Sequence, residues 1–166
     1  ILVGEIRDDI TAQISVNAAL TGHLLFSTLH ANDAATAVPR LLEMGIEPYL
    51  LASTLELIIA QRLMRRICLN CRYSHNVSQV DAFQLFPHAE RYLKDKGEVT
   101  LYKGKGCNAC GNTGFHGRIG VYEIIVVTPE IEELITQRRT SGEINSVARK
   151  QGMFTLFERS EEHTSE

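Results

Sequence analysis

Four cysteines stand in two pairs, Cys68-Leu69-Asn70-Cys71 and Cys107-Asn108-Ala109-Cys110. Two residues between thiols let one tight backbone knuckle present both sulfurs to a single ion, and two knuckles complete the tetrahedral thiolate shell that structural zinc prefers. The pattern therefore predicts one structural Zn2+ held by Cys68, Cys71, Cys107 and Cys110, with a spacer that docks like a hairpin and carries an inserted lobe. A redox Cys-x-x-Cys explains one pair but not two. An iron–sulfur cluster also takes four thiolates and stays open as an alternative. The glycines at 104, 106, 111 and 114 suit the sharp turns such knuckles need. His75, His88 and His116 lie near the pairs, but four thiolates fill a zinc shell, so these imidazoles are expected at the surface. The other candidates are Glu5 and His30, each at the end of a short apolar run.

Those two residues are positioned by what surrounds them. Ile1-Leu2-Val3-Gly4-Glu5 reads as a buried strand delivering Glu5 to a sheet edge. Asp8 and Asp9 suit the cap and first turn of a helix whose face holds Ile10, Ile14 and Ala18 and whose end lies at Thr21-Gly22. Leu24 to His30 then reads as a second buried strand. Strand, helix, strand at this spacing implies a parallel α/β unit, and ligands bind such sheets outside the carboxyl ends of the strands. Glu5 and His30 both fall there. Farther on, helices are predicted over about 33–44, with Pro39 forcing a kink or a late start, and over about 48–60, where Leu50, Leu51, Leu55 and Ile58 share a core face. The segment 74–96 reads as a polar, weakly helical insertion without a core of its own. A strand over 118–127 and helices over 129–137 and 141–151 close the pattern.

With 166 residues and 44% hydrophobic content the chain can bury a core, and a net charge of −3 with no Lys/Arg block argues against nucleic acid as a direct partner. No window approaches the roughly 18 apolar residues of a membrane span, so any membrane association is expected to be peripheral. There is no initiator Met and no signal segment, which suggests a cut through a structural element, and reduced, metal-binding cysteines suit the cytoplasm. The last eight residues, 159–166, break the preceding pattern and resemble a translated sequencing adapter; they are set aside as a non-native tail.

Gly4-Glu5-Ile6-Arg7-Asp8 and the later Thr21-Gly22-His23-Leu24-Leu25-Phe26-Ser27-Thr28-Leu29-His30-Ala31-Asn32 resemble the Walker B segment and histidine box of the ATPases that drive type II secretion and type IV pilus assembly. The resemblance continues through Ala60-Gln61-Arg62-Leu63, both cysteine pairs and the stretch from Gly117 to Glu123, and reaches Glu158. It implies a RecA-like P-loop NTPase core joined to a small zinc-binding lobe. By resemblance Glu5 is the catalytic glutamate that orients or deprotonates the attacking water, His30 donates to a γ-phosphate oxygen, and Arg7 stabilises phosphate charge or bridges subunits. A salt bridge from Arg7 to Asp8 or Asp9 is the plainer alternative. Thr28 and Ser27 rank behind as nucleotide contacts. ATP and Mg2+ are implied for the complete protein, as are a homohexamer and inner-membrane platform proteins as partners, at the cytoplasmic face of the membrane. The cysteine pairs favour secretion or pilus extension over retraction.

Two departures stand out. The family usually continues after Gly-Glu-Ile-Arg-Asp with a residue and then Glu-Thr-Ala, where this chain has Asp9-Ile10-Thr11-Ala12. No Gly-x-x-x-x-Gly-Lys-Ser/Thr occurs, and that loop is what holds nucleotide phosphates. The chain is thus expected to be truncated upstream and inactive alone. The expected division is 1–66 for part of the ATPase core, 67–128 for the cysteine lobe, 129–158 for C-terminal helices and 159–166 for the tail. The rival reading is a non-catalytic zinc-ribbon adaptor, which explains the cysteines but not the Glu5 and His30 segments.

Overall fold

The chain opens on a β-α-β unit in the computed structural model, which describes residues 1–85 and 97–162. Strand β1 (Leu2–Ile6), helix α1 (Asp9–Leu20) and strand β2 (Phe26–Leu29) follow in order, and β1 pairs with β2 in parallel. The Asp8 side chain accepts the Thr11 amide at 2.7 Å, which starts α1 and holds the Asp8 carboxyl below its ordinary pKa. Gly22, at φ +84°, lets the chain turn back toward β2. The buried face of α1 is Ala12, Ser15 and Val16, not the predicted face, and Ile10 and Ile14 are 68% and 61% exposed. Small residues at 12 and 15 let α1 lie close to its neighbours, and the buried Ser15 hydroxyl is satisfied by the Thr11 carbonyl at 2.8 Å. Both strands are also more open than expected, with Leu2 and Phe26 exposed.

Helix α2 (Ala37–Glu43) starts late, as Pro39 allows, because a proline in the first turn gives up an amide that lacks a helical partner there. Helix α3 (Pro48–Thr54) is shorter than predicted, and the backbone turns extended at Leu55 to enter strand β3 (Leu57–Ile67). Leu55 and Ile58 still pack on the core, but from a cap and a strand, since the β-branched pair Ile58-Ile59 fits a pleated surface better than a helix. β3 pairs with β6 (Phe115–Val126). Helices α5 (Pro129–Thr136) and α6 (Ser141–Lys150) match expectation, the second opened by a reciprocal capping box between Thr140 and Glu143.

These elements fall into two units, Ile1–Ala60 with Glu123–Phe154, and the described parts of Gln61–Tyr122 with Thr155–Glu166. The first has its core among Ala12, Val38, Leu51, Ile131, Ile135 and Ile144. Each of the three isoleucines is fully buried, a contribution of about 1.5–3 kcal/mol apiece.

The second unit holds β4 (Arg72–Ser78), helix α4 (Gln79–Leu85), β5 (Glu98–Gly104) and helix α7 (Leu156–Glu162). β4 and β5 form an antiparallel ladder from Arg72↔Gly104 to Ser78↔Glu98. The prediction that the segment between the cysteine pairs lacks a core is wrong: Ala82, Val99 and Leu101 are buried together, with Val77 and Phe83 packed on them. The cluster forms because the strands place Val77, Val99 and Leu101 on one face. Residues 159–162, part of the predicted tail, continue α7, while 163–166 and residues 86–96 of the insertion predicted over 74–96 lie outside the described residues. No helix among the described residues is long and apolar enough to cross a membrane.

Candidate functional site

In the first unit, Glu5, Arg7 and His30 meet at the carboxyl end of the parallel pair. The register runs Leu2↔Phe26 and Val3↔Ser27, then resumes at Ile6↔Leu29, so β1 carries one extra residue across Gly4-Glu5. Such a bulge re-aims the strand beyond it and frees backbone groups from the ladder. Thr28 Oγ1 meets that need by donating to the Gly4 carbonyl at 2.7 Å. The hydroxyl proton of Thr28 is thereby committed to the backbone, and Ser27 Oγ donates weakly to the Thr28 carbonyl at 3.4 Å.

Beyond the bulge, the Glu5 carboxylate is 22% exposed and each of its oxygens has a different neighbour. Oε2 accepts from Arg7 Nε at 2.5 Å, so Arg7 pairs with Glu5 and not with Asp8 or Asp9, whose carboxylates take the amides of Thr11 and Ile10. Oε1 lies 2.7 Å from His30 Nε2 without the angular geometry of a hydrogen bond, which leaves that buried oxygen unsatisfied. Arg7 and His30 are mostly exposed, so these pairs contribute only about 0–1 kcal/mol to folding. A partly buried carboxylate with an unsatisfied oxygen, beside two exposed cationic or donor side chains, has the parts for accepting a proton next to an anion. His23 is not among them; its Nδ1 sits 2.8 Å from Thr21 Oγ1 in the turn after α1.

In the second unit the four cysteines converge. Their sulfurs all lie within 4.8 Å of one another, with Cys68 to Cys107 and Cys71 to Cys110 at 3.9 Å and Cys107 to Cys110 at 3.8 Å. Four thiolates about 2.3 Å from one tetrahedral ion have a sulfur–sulfur edge of about 3.8 Å, which these distances approach. Cubane clusters bind each thiolate to a different iron and spread the sulfurs farther apart. The donor set therefore fits a single ion.

Backbone geometry builds this cage. β4 begins directly after Cys71 and β5 ends three residues before Cys107, so the inserted ladder brings the two pairs together despite their separation in sequence. Cys110 Sγ accepts the amides of Cys107 at 3.2 Å and Gly114 at 3.3 Å, and Cys68 donates its amide to the Gly114 carbonyl at 2.9 Å. A Cβ on Gly104 would collide with the Gly114 carbonyl, so the two backbones approach only as glycines. Burial pushes the Cys110 thiol up, but the amides of Cys107 and Gly114 outweigh it, with the Cys107 and Cys71 thiols acting in the same sense, and bring it to about 6. For Cys71, burial together with the neighbouring thiols prevails over the Gly106 amide and pushes it to about 11. One thiolate thus forms readily while burial holds the other thiol protonated, and a bound cation would favour deprotonation of both. His116 is exposed, as predicted, whereas His75 is half-buried on β4 with Nδ1 lacking a partner, and His88 lies outside the described residues.

Two buried acidic residues among those described, Glu123 and Glu158, were not singled out from the sequence. Glu123 is 2% exposed and its Oε1 accepts the Ala34 amide at 2.9 Å. The signal was present: Val121, Glu123 and Ile125 alternate along β6 on its buried face, an unusual place for a carboxylate.

Residues 1–166 match the family model described as "Type II/IV secretion system protein". The chain is 43% identical over 158 residues to the type IV pilus assembly ATPase PilB of Thermus thermophilus, covering 95% of this chain and 17% of that protein. It is 42% identical to the type II secretion system protein HxcR of Pseudomonas aeruginosa and 43% identical to the type II secretion system protein E of Xanthomonas campestris pv. campestris, over 95% of this chain and 29% and 27% of those proteins. The chain thus spans less than a third of the length of these relatives. Its fold is similar to that of the Legionella pneumophila ATPase DotB, at a TM-score of 0.55 and 22% identity, over 97% of this chain and 33% of that one. A mixed α/β chain with clustered cysteines and an acidic strand end, matched along its whole length, is accordingly a member of the type II/IV secretion system protein family.

Proposed function

We propose that these 166 residues are the C-terminal part of an ATP-hydrolysing motor subunit that powers type II secretion or type IV pilus assembly. The observation that carries the reading is the Glu5 carboxylate, with its buried, unsatisfied Oε1 flanked by His30 and Arg7 at the end of a parallel strand pair. In this reading the first unit, which includes the C-terminal helices α5 and α6, belongs to a RecA-like P-loop core, and the second is a zinc lobe. Glu5 orients the attacking water and accepts its proton as the water oxygen bonds to the γ-phosphorus and the bond to the β–γ bridging oxygen breaks. His30 and Arg7 leave the Glu5 oxygens to contact phosphate oxygens, which frees Oε1 for the water. Mg2+ supplies charge neutralisation on the phosphates when nucleotide is bound. The names of the relatives support a place in a secretion or pilus machine; a homohexamer working against inner-membrane platform proteins at the cytoplasmic face is the assembly that follows. Cys68, Cys71, Cys107 and Cys110 would hold one Zn2+ in a closed, structural shell.

The test uses full-length protein with its phosphate loop. Glu5→Gln keeps the shape and removes the base, so nucleotide should bind with near-parental affinity while turnover falls by about 10²-fold or more. Turnover at the parental rate would remove Glu5 from the chemistry, whereas a full-length parental protein without turnover would leave the zinc-ribbon adaptor as the better reading.

A further inference from the structure

We propose that Glu123 is a positioning residue for His30, acting through its hydrogen bond to the Ala34 amide; the inference rests on the proposed role of His30. His30 leaves β2 directly after Leu29, the partner of Ile6, and enters a turn that ends where α2 begins at Ala37. One end of this segment is thus held by the sheet. The other end is held by two devices.

Asp33 and Thr36 close the turn on each other, Thr36 donating its amide to Asp33 Oδ1 at 2.8 Å while the Asp33 amide reaches Thr36 Oγ1 at 3.3 Å. Between them, Ala34 is completely buried. Its amide precedes the first helical hydrogen bond of α2, so neither helix nor water supplies an acceptor, and a buried amide left unpaired is costly. Glu123 Oε1 supplies it at 2.9 Å, from a residue 89 positions away in sequence. A carboxylate on the buried face of β6 is itself expensive to hold there, and an apolar residue would pack the position more cheaply. What the carboxylate does that an apolar side chain cannot is fix the turn four residues after His30. The imidazole, exposed and tied to Glu5 by one imperfect contact, depends on this backbone anchor for its place beside the Glu5 carboxylate.

The test is a double-mutant cycle on turnover in full-length protein. Glu123→Ala should lower kcat about tenfold with KM for ATP little changed, Glu123→Gln, which keeps an acceptor oxygen, should recover most of the loss, and Glu123→Ala should add nothing in a His30→Ala background. If Glu123→Ala does not fold, Glu123→Asp, which withdraws the acceptor by one methylene, takes its place in the cycle. Losses that multiply independently of His30, or a change only in thermal stability at unchanged kcat, would overturn the positioning role while leaving the ATPase reading intact. A His30→Ala protein with parental turnover would instead overturn the role of His30 and this inference with it.

Discussion

At the scale of single residues, Glu5 and His30 differ in what their removal leaves behind. In the proposed mechanism, removing the carboxylate leaves no base facing the water. Removing the imidazole leaves Glu5 with its Arg7 contact at 2.5 Å and its place after the bulge in β1, and the mechanism then loses only one donor to the phosphate. A hydrogen bond to a charged group contributes about 1.5–3 kcal/mol, and the exposure of the imidazole puts His30 at the low end, so His30→Ala should slow turnover by roughly tenfold, less than Glu5→Gln does. Steady-state phosphate release on the two variants orders them; a larger loss for His30→Ala than for Glu5→Gln would reverse the assigned roles. The types of these residues were legible because each ends an apolar run, which in a parallel sheet places it at the ligand-binding edge. Their mutual contact was not, since it depends on a register shift that leaves no mark in composition. Glu123 was legible only in hindsight, from its inward register on β6.

Among the elements, the cysteine knuckles and the β4–β5 ladder form one mechanical piece. The ladder begins after Cys71 and runs back to Gly104, so a metal that ties the knuckles also closes the base of the ladder and the small core of Ala82, Val99 and Leu101 above it. A core of three buried residues cannot stabilise a lobe of this size alone. Stripping the metal with a chelator, or Cys107→Ser, should therefore raise amide hydrogen exchange along β4 and β5 while that of α5 and α6 stays unchanged. Metal analysis of the reduced, folded protein should give one zinc per chain and no iron; a zinc content near zero in protein whose ladder stays protected would contradict the site. The sequence conveyed the elements unevenly, and for physical reasons. Caps and prolines mark α1, α5 and α6 with local chemistry, so their starts were readable. Leu57 to Ala60 is a short apolar run that suits helix or strand equally by periodicity, and its pairing with β6 decided the matter. The core between the cysteine pairs was missed because its apolar residues are few and come together only through cross-strand pairing.

On the scale of the whole molecule, the first unit leaves Leu2, Ile10, Ile14, Leu24 and Phe26 exposed around a two-stranded parallel sheet. Parallel sheets are ordinarily covered on both faces, and apolar surface of this kind marks a place where more polypeptide packs. This also explains why Ile10 and Ile14 looked like core residues: they have the pattern of a buried face without its covering. The relatives are several times longer than this chain, and no phosphate-holding Gly-Lys-Ser/Thr loop occurs in its 166 residues. Under the proposed function, Glu5 and His30 act on a nucleotide whose phosphates are held by another part of the motor. The most direct measurement compares ATP binding and phosphate release by residues 1–166 and by full-length protein under the same conditions. Full-length protein should turn ATP over while residues 1–166 neither bind nor hydrolyse it; phosphate release by residues 1–166 at a comparable rate would overturn the proposed division of the site.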